Sequence, residues 1–224
     1  MNAPHDHTVR TARLAAAMAR LPLVAILRGL RPDEAEGVGL ALERAGFALI
    51  EVPLNSPQPF DSIATLRRVL RAETLVGAGT VTRVEDVRQL QQIGADLVVM
   101  PHADIAVIRA AKAAGLLCVP GVATPTEAFA ALDAGADALK LFPAELVTPA
   151  VMKAMRAVLP AHVPLLPVGG IVPPSLAPWR RAGASGFGLG SALYVPGADA
   201  ATVARHAAEF VQAWRDCVAA GPPA

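Results

Sequence analysis

Along the 224 residues one phrase keeps returning: a stretch with helical periodicity, a glycine, then a short apolar run. These returns, the unbroken apolarity of the runs and the lack of a second compositional regime predict an α/β fold. The architecture expected is a single (β/α)8 TIM barrel with an N-terminal capping helix.

The phrase appears as Glu43-Arg44-Ala45-Gly46 before the run 47–54, and as Gln91-Gln92-Ile93-Gly94 before 95–101. It returns as Lys112-Ala113-Ala114-Gly115 before 116–121, Leu132-Asp133-Ala134-Gly135 before 136–143, and Arg180-Arg181-Ala182-Gly183 before 186–190. Each glycine stands where a helix end needs a left-handed backbone, which glycine adopts without Cβ strain. The longer gaps on either side of Gly94, Gly115 and Gly135 each have room for two units. Filling them places strands near 23–28, 48–54, 74–80, 95–100, 116–120, 137–142, 164–169 and 186–190. A helix follows each, several opened by a proline in the first turn: Pro32, Pro57, Pro125, Pro149 and Pro173. Runs that are apolar throughout, rather than alternating, fit parallel strands covered on both faces. A doubly wound open sheet is the alternative, but no G-x-G-x-x-G follows the first strand.

Residues 1–20 are expected to form a flexible tail (1–8) and the capping helix, and 21–220 the barrel. The apolar stretch after Arg13 imitates a signal peptide, but Arg20 ends it after about six residues, short of the ~7–15 required. No run reaches the ~18 apolar residues of a membrane span. Hydrophobic residues at 54% against 17% charged exclude disorder. A net charge of +1 with 4% aromatics argues against nucleic-acid binding. Cys118 and Cys217 are too few for a disulfide framework and form no CxxC pair, which fits a reducing cytoplasm. The histidines show no ligand spacing, so no metal is expected.

Active sites of such barrels lie at the C-terminal strand ends. Lys140 is the most informative residue there. Of the three lysines, Lys112 and Lys153 fall in helical stretches, whereas Lys140 sits inside an apolar strand. An ammonium there is costly, desolvation lowers its pKa, and the neutral amine attacks carbonyls. Glu51, also in an apolar strand, could move protons for it; the structural alternative is a plain Lys140–Glu51 salt bridge. Gly169-Gly170 and Gly190-Ser191 end the seventh and eighth strands, where such barrels often bind phosphate. Arg28 and Thr80 offer further donors to an anion, with surface pairing and strand capping as alternatives. His102 could line the pocket or solvate a loop, and Cys118 reads as a buried inert thiol.

Taken in order, the stretches Leu27-Arg28-Gly29, Glu51-Val52-Pro53-Leu54-Asn55-Ser56-Pro57 and Gly77-Ala78-Gly79-Thr80-Val81 are joined by three more. These are Ala138-Leu139-Lys140-Leu141-Phe142-Pro143, Val168-Gly169-Gly170 and Gly188-Leu189-Gly190-Ser191. Together they resemble the Schiff-base-forming aldolases of 2-keto-3-deoxy-6-phospho sugar acids, from about residue 21 to 216. The resemblance is closest to the galactonate-type branch: gluconate-type relatives commonly carry Thr-Gly-Gly at 168–170 and an arginine around Asn55. It implies a class I aldolase needing no metal or other cofactor, with Lys140 as Schiff-base nucleophile and Glu51 as general acid/base. Arg28 and Thr80 would bind the substrate's carboxylate end, Gly170, Gly190 and Ser191 its phosphate, Gly169 would be a further substrate-binding residue, and Val168 would border the C4 hydroxyl. The partner implied is a phosphorylated keto sugar acid, the assembly a homotrimer. Two rivals keep the barrel without the imine: a sugar-phosphate isomerase or epimerase, and a silent sugar-phosphate binder.

Overall fold

The computed structural model describes residues 4–221, with side chains from residue 11 onward. Helix α1 (Pro4–Arg20) comes first, so residues 4–8, expected within the tail, are its opening turns; 1–3 lie outside the described residues. Proline at the first helical position gives α1 a preset φ.

The repeating units then run β1 (Leu23–Ile26), α2 (Pro32–Ala45), β2 (Leu49–Pro53), α3 (Pro59–Val69), β3 (Leu75–Gly79) and α4 (Val84–Gln92). Next are β4 (Leu97–Val99), α5 (Ile105–Ala113), β5 (Leu117–Val119), β6 (Gly121–Val122) and α6 (Pro125–Asp133). Last are β7 (Leu139–Leu141), α7 (Pro149–Arg156), β8 (Leu165–Pro167), a 3₁₀ turn at Pro173–Ser175, α8 (Leu176–Arg181), β9 (Phe187–Leu189) and α9 (Ala200–Ala219). The glycines that end the recurring phrase, Gly46, Gly94, Gly115, Gly135 and Gly183, all take positive φ, as their placement requires. Pro32, Pro125, Pro149 and Pro173 open their elements; α3 instead starts at Pro59, because Gln58 caps it with φ 42°.

All strands pair in parallel, in a six-stranded sheet ordered β5-β4-β3-β2-β1-β9 and a three-stranded one ordered β6-β7-β8. The expected fifth strand, 116–120, is observed as β5 ending at Val119, and a separate two-residue strand, β6, follows Pro120. Proline has no N–H to give a ladder, so the pairing breaks there. Pro120 still accepts through its carbonyl, from Lys140 N at 2.9 Å. At the other seam Pro167 ends β8, and a lone bridge joins Val168 to Gly188. One uninterrupted eight-stranded ladder is therefore not what the hydrogen bonds form. What they form is an α/β fold of parallel strands in two abutting sheets.

Two apolar regions result. Between strands and helices, Phe47, Leu66, Ile108, Met152, Phe187 and Phe210 belong to the larger core. Inside the curve of the strands, Leu49, Leu75, Leu97, Leu117 and Leu166 form a second cluster, and Leu14 and Ala17 of α1 pack onto it. Burying a side chain such as Leu14 stabilises by about 1.5–3 kcal/mol, which fastens α1 across the N-terminal end of the strands. Asp96 and Asp137, which fall in the expected strand ranges 95–100 and 137–142, lie just ahead of β4 and β7. There they accept bonds from Val76 N (3.0 Å) and Cys118 N (2.8 Å). Among the described residues, no helix is long and apolar enough to cross a membrane.

Candidate active site

Parallel pairing puts every strand's C-terminal end on one side, and Lys140, in the middle of β7, projects into the space the strands curve around. It is 6% exposed, lines a cavity of about 390 Å³ open at that side, and holds its Nζ 4.5 Å from the Phe142 ring centroid. Arg28, Val168, Gly169, Gly170, Gly190 and Ser191 line the same cavity. Six of the residues singled out in the sequence thus gather with Lys140 around one space.

Glu51, 1% exposed, does not line that cavity. It shares with Lys140 a smaller apolar void of about 20 Å³ deeper inside, whose far wall is Leu14. Gly79, paired opposite Pro53, makes room for it: a side chain there would collide with the Glu51 carboxylate. Thr80 follows with a φ of 56°, an outlier for a β-branched residue, and lines neither space. Arg28 and Thr80 are not brought together around one anion.

Among the described residues no ion pair joins Lys140 to Glu51, and Glu51 Oε2, although buried, has no hydrogen-bond partner. The plain salt bridge is absent. Burial pushes the Glu51 carboxyl up to about 7, against the pull of Lys140 first and Arg28 second. Burial also draws the Lys140 ammonium below the ordinary lysine range; Glu51 opposes this and Arg28 adds to it. Each group's protonation is thereby poised by removal from water and by the other's charge. A carboxyl of this kind can give and take protons near neutrality, beside an amine that loses its proton more easily than usual.

Arg28 donates from Nη1 to Asn55 Oδ1 at 2.6 Å, so Asn55 orients the guanidinium at the cavity edge. His102 is exposed and lines neither space. Cys118 is buried with its Sγ 3.8 Å from Met100 Sδ, and burial pushes its thiol up to about 12, which leaves it inert. No group of three or more metal-type side chains converges among the described residues. Sequence reasoning missed Glu145 and Tyr194, both on the cavity wall. Tyr194, 2% exposed, donates its hydroxyl to Glu34 Oε2 at 3.2 Å. The available signals were weak: an acid five residues beyond Lys140, and the chain's single tyrosine.

The model of the family described as "KDPG and KHG aldolase" matches residues 14–205. The chain is 47% identical over 199 residues to 2-dehydro-3-deoxy-6-phosphogalactonate aldolase of Escherichia coli (strain K12), covering 89% of this chain and 97% of that one. It is 48% identical over 193 residues to the probable enzyme of that name from Rhizobium meliloti (strain 1021), covering 86% and 91%. A solved structure described as native KDPGal superposes with a TM-score of 0.88 at 46% identity, over 89% of this chain and 97% of that one.

Proposed function

This chain belongs to the KDPG and KHG aldolase family, and from that premise we propose that it cleaves 2-dehydro-3-deoxy-6-phosphogalactonate to pyruvate and D-glyceraldehyde 3-phosphate. The observation that carries the chemistry is the pair Lys140 and Glu51, both buried, close enough to shift each other's titration, yet unbonded.

In this reading the neutral Lys140 amine adds to the C2 ketone of the substrate. Glu51 delivers the proton with which the C2 oxygen leaves as water, and the protonated imine becomes an electron sink. Removal of the C4 hydroxyl proton then breaks the C3–C4 bond, whose electrons flow to the imine. D-Glyceraldehyde 3-phosphate departs, and an enamine of pyruvate remains on Lys140. Protonation at C3 and addition of water release pyruvate and restore the amine. Arg28, on the cavity wall, holds the carboxylate end. Gly169, Gly170, Gly190 and Ser191 hold the phosphate. Fixing both ends orients the C3–C4 bond, a contribution that reaches ~7–11 kcal/mol in well-aligned reactions.

The galactonate epimer is supported by the identities above and by Val168 on the cavity wall, at the position where gluconate-type relatives commonly carry threonine. We also read the two sheets as one closed eight-strand barrel over 21–220, capped by α1. Support comes from bonds across both seams: Asp137 N to Cys118 O at 2.9 Å, Lys140 N to Pro120 O, and the Val168–Gly188 bridge. A cytoplasmic homotrimer completes the reading; Phe129, Leu146 and Val151, apolar yet exposed on and beside α6 and α7, favour association.

Sodium borohydride added with pyruvate should irreversibly inactivate the protein and add a reduced pyruvyl group to Lys140 by peptide mass. An unmodified Lys140 would refute the imine and leave the isomerase reading.

A further inference from the structure

Glu145 lines the cavity of Lys140, and the reaction above gives it no task. It makes no hydrogen bond or ion pair among the described residues, although it is exposed and free to reach water. Its carboxylate instead lies against the Gly169–Gly170 turn. Cδ stands 3.0 Å from where a side chain on Gly169 would begin, and Oε1 stands 3.2 Å from the same point on Gly170. Both glycines have positive φ, and any side chain there would push the carboxylate away. The turn assigned to the substrate's phosphate is therefore covered by an anion belonging to the protein. Phosphate entering the turn meets that carboxylate, and like charges ~4 Å apart oppose binding roughly fivefold even in bulk water.

We propose that Glu145 is an anionic stand-in at this turn that keeps untethered phosphate off it, while a phosphorylated keto acid, held also by its other contacts, still displaces the carboxylate. The difference lies in tethering. A ligand already held at Arg28 and Lys140 presents its phosphate to the turn at a high effective concentration, whereas free phosphate must overcome the carboxylate unaided. The proposal rests on the reading of Gly169, Gly170, Gly190 and Ser191 as phosphate contacts.

The test is inhibition of aldol cleavage by inorganic phosphate at constant ionic strength, in the wild-type protein, Glu145→Gln and Ser191→Ala. Phosphate should inhibit Glu145→Gln at a concentration roughly fivefold lower than the wild type, and Ser191→Ala only at a higher one. Equal or weaker inhibition of Glu145→Gln, with Ser191→Ala weakened, overturns the role of Glu145 alone. Equal inhibition of all three overturns the phosphate site and the role of Glu145 with it.

Discussion

Two lysines of this chain stand beside buried carboxylates, and they end in opposite conditions. Lys112, on α5, donates to Asp137 at 2.5 Å, and Asp137 also accepts from Cys118 N. That closed ion pair ties a helix to the approach of β7. Lys140 has Glu51 near enough to shift its titration, yet no ion pair joins the two and one Glu51 oxygen is orphaned. A buried oxygen left unpaired costs about 1–3 kcal/mol, and more when charged. The fold carries that cost at β2 and β7 and avoids it at α5. Partnered polar groups hold a structure together; a pair kept apart retains the capacity to bond something else.

The contrast is broken most severely at Lys140. Lys140→Met should abolish turnover and borohydride trapping, whereas Lys112→Met should keep both and unfold earlier. Removing Lys112 costs about 1–3 kcal/mol by leaving Asp137 short of a partner, a loss of several degrees in Tm for a chain of this size. Trapping in Lys140→Met, or its loss in Lys112→Met, would invert the roles assigned to the two lysines.

Glu51→Gln should lower kcat by on the order of 10²–10⁴ while the variant still binds pyruvate. Above about 7 the wild-type carboxyl is ionised and able to accept the C4 proton, so kcat should fall as pH drops through that value. The glutamine variant loses that limb. Its Lys140 should also release its proton at lower pH, because Glu51 holds the ammonium up. A limb near 7 that persists in Glu51→Gln would assign it to another group.

A smaller effect is expected at Val168. Threonine there should move the galactonate-to-gluconate ratio of kcat/KM toward gluconate by about 10-fold or less, the scale of one group exchanged in a pocket. An unmoved ratio would remove Val168 as a determinant of the epimer.

A further effect is on stability. The folded Glu51 carboxyl titrates near 7 against 4.5 unfolded, so its contribution is fully present below 4.5 and lost as pH rises through 7. Across that window, Tm of the wild type should fall relative to Glu51→Gln. Parallel curves would mean that Glu51 ionises in the fold as readily as outside it.

Lys140, Glu51 and the glycine turns were legible because each breaks a local rule: a charge inside an apolar strand, or flexible residues at a strand's end. The glycine C-caps were legible for the same reason, since the need for positive φ is set by adjacent residues. Glu145 and Tyr194 break no such rule. An acid after a strand and a tyrosine in a loop are ordinary, and only the approach of the Gly169–Gly170 turn and of α2 makes them part of a wall.

Composition, the recurring helix–glycine–strand phrase and the placement of Lys140 and Glu51 followed from sequence alone, because burial and backbone preference act residue by residue. Tertiary structure decided the rest. It divided the strands into two sheets at Pro120 and Pro167, where a missing N–H matters only once a neighbouring strand is there to receive it. It also kept Lys140 and Glu51 close but unbonded, because distances between side chains on β2 and β7 depend on how the strands between them curve, which no local pattern encodes.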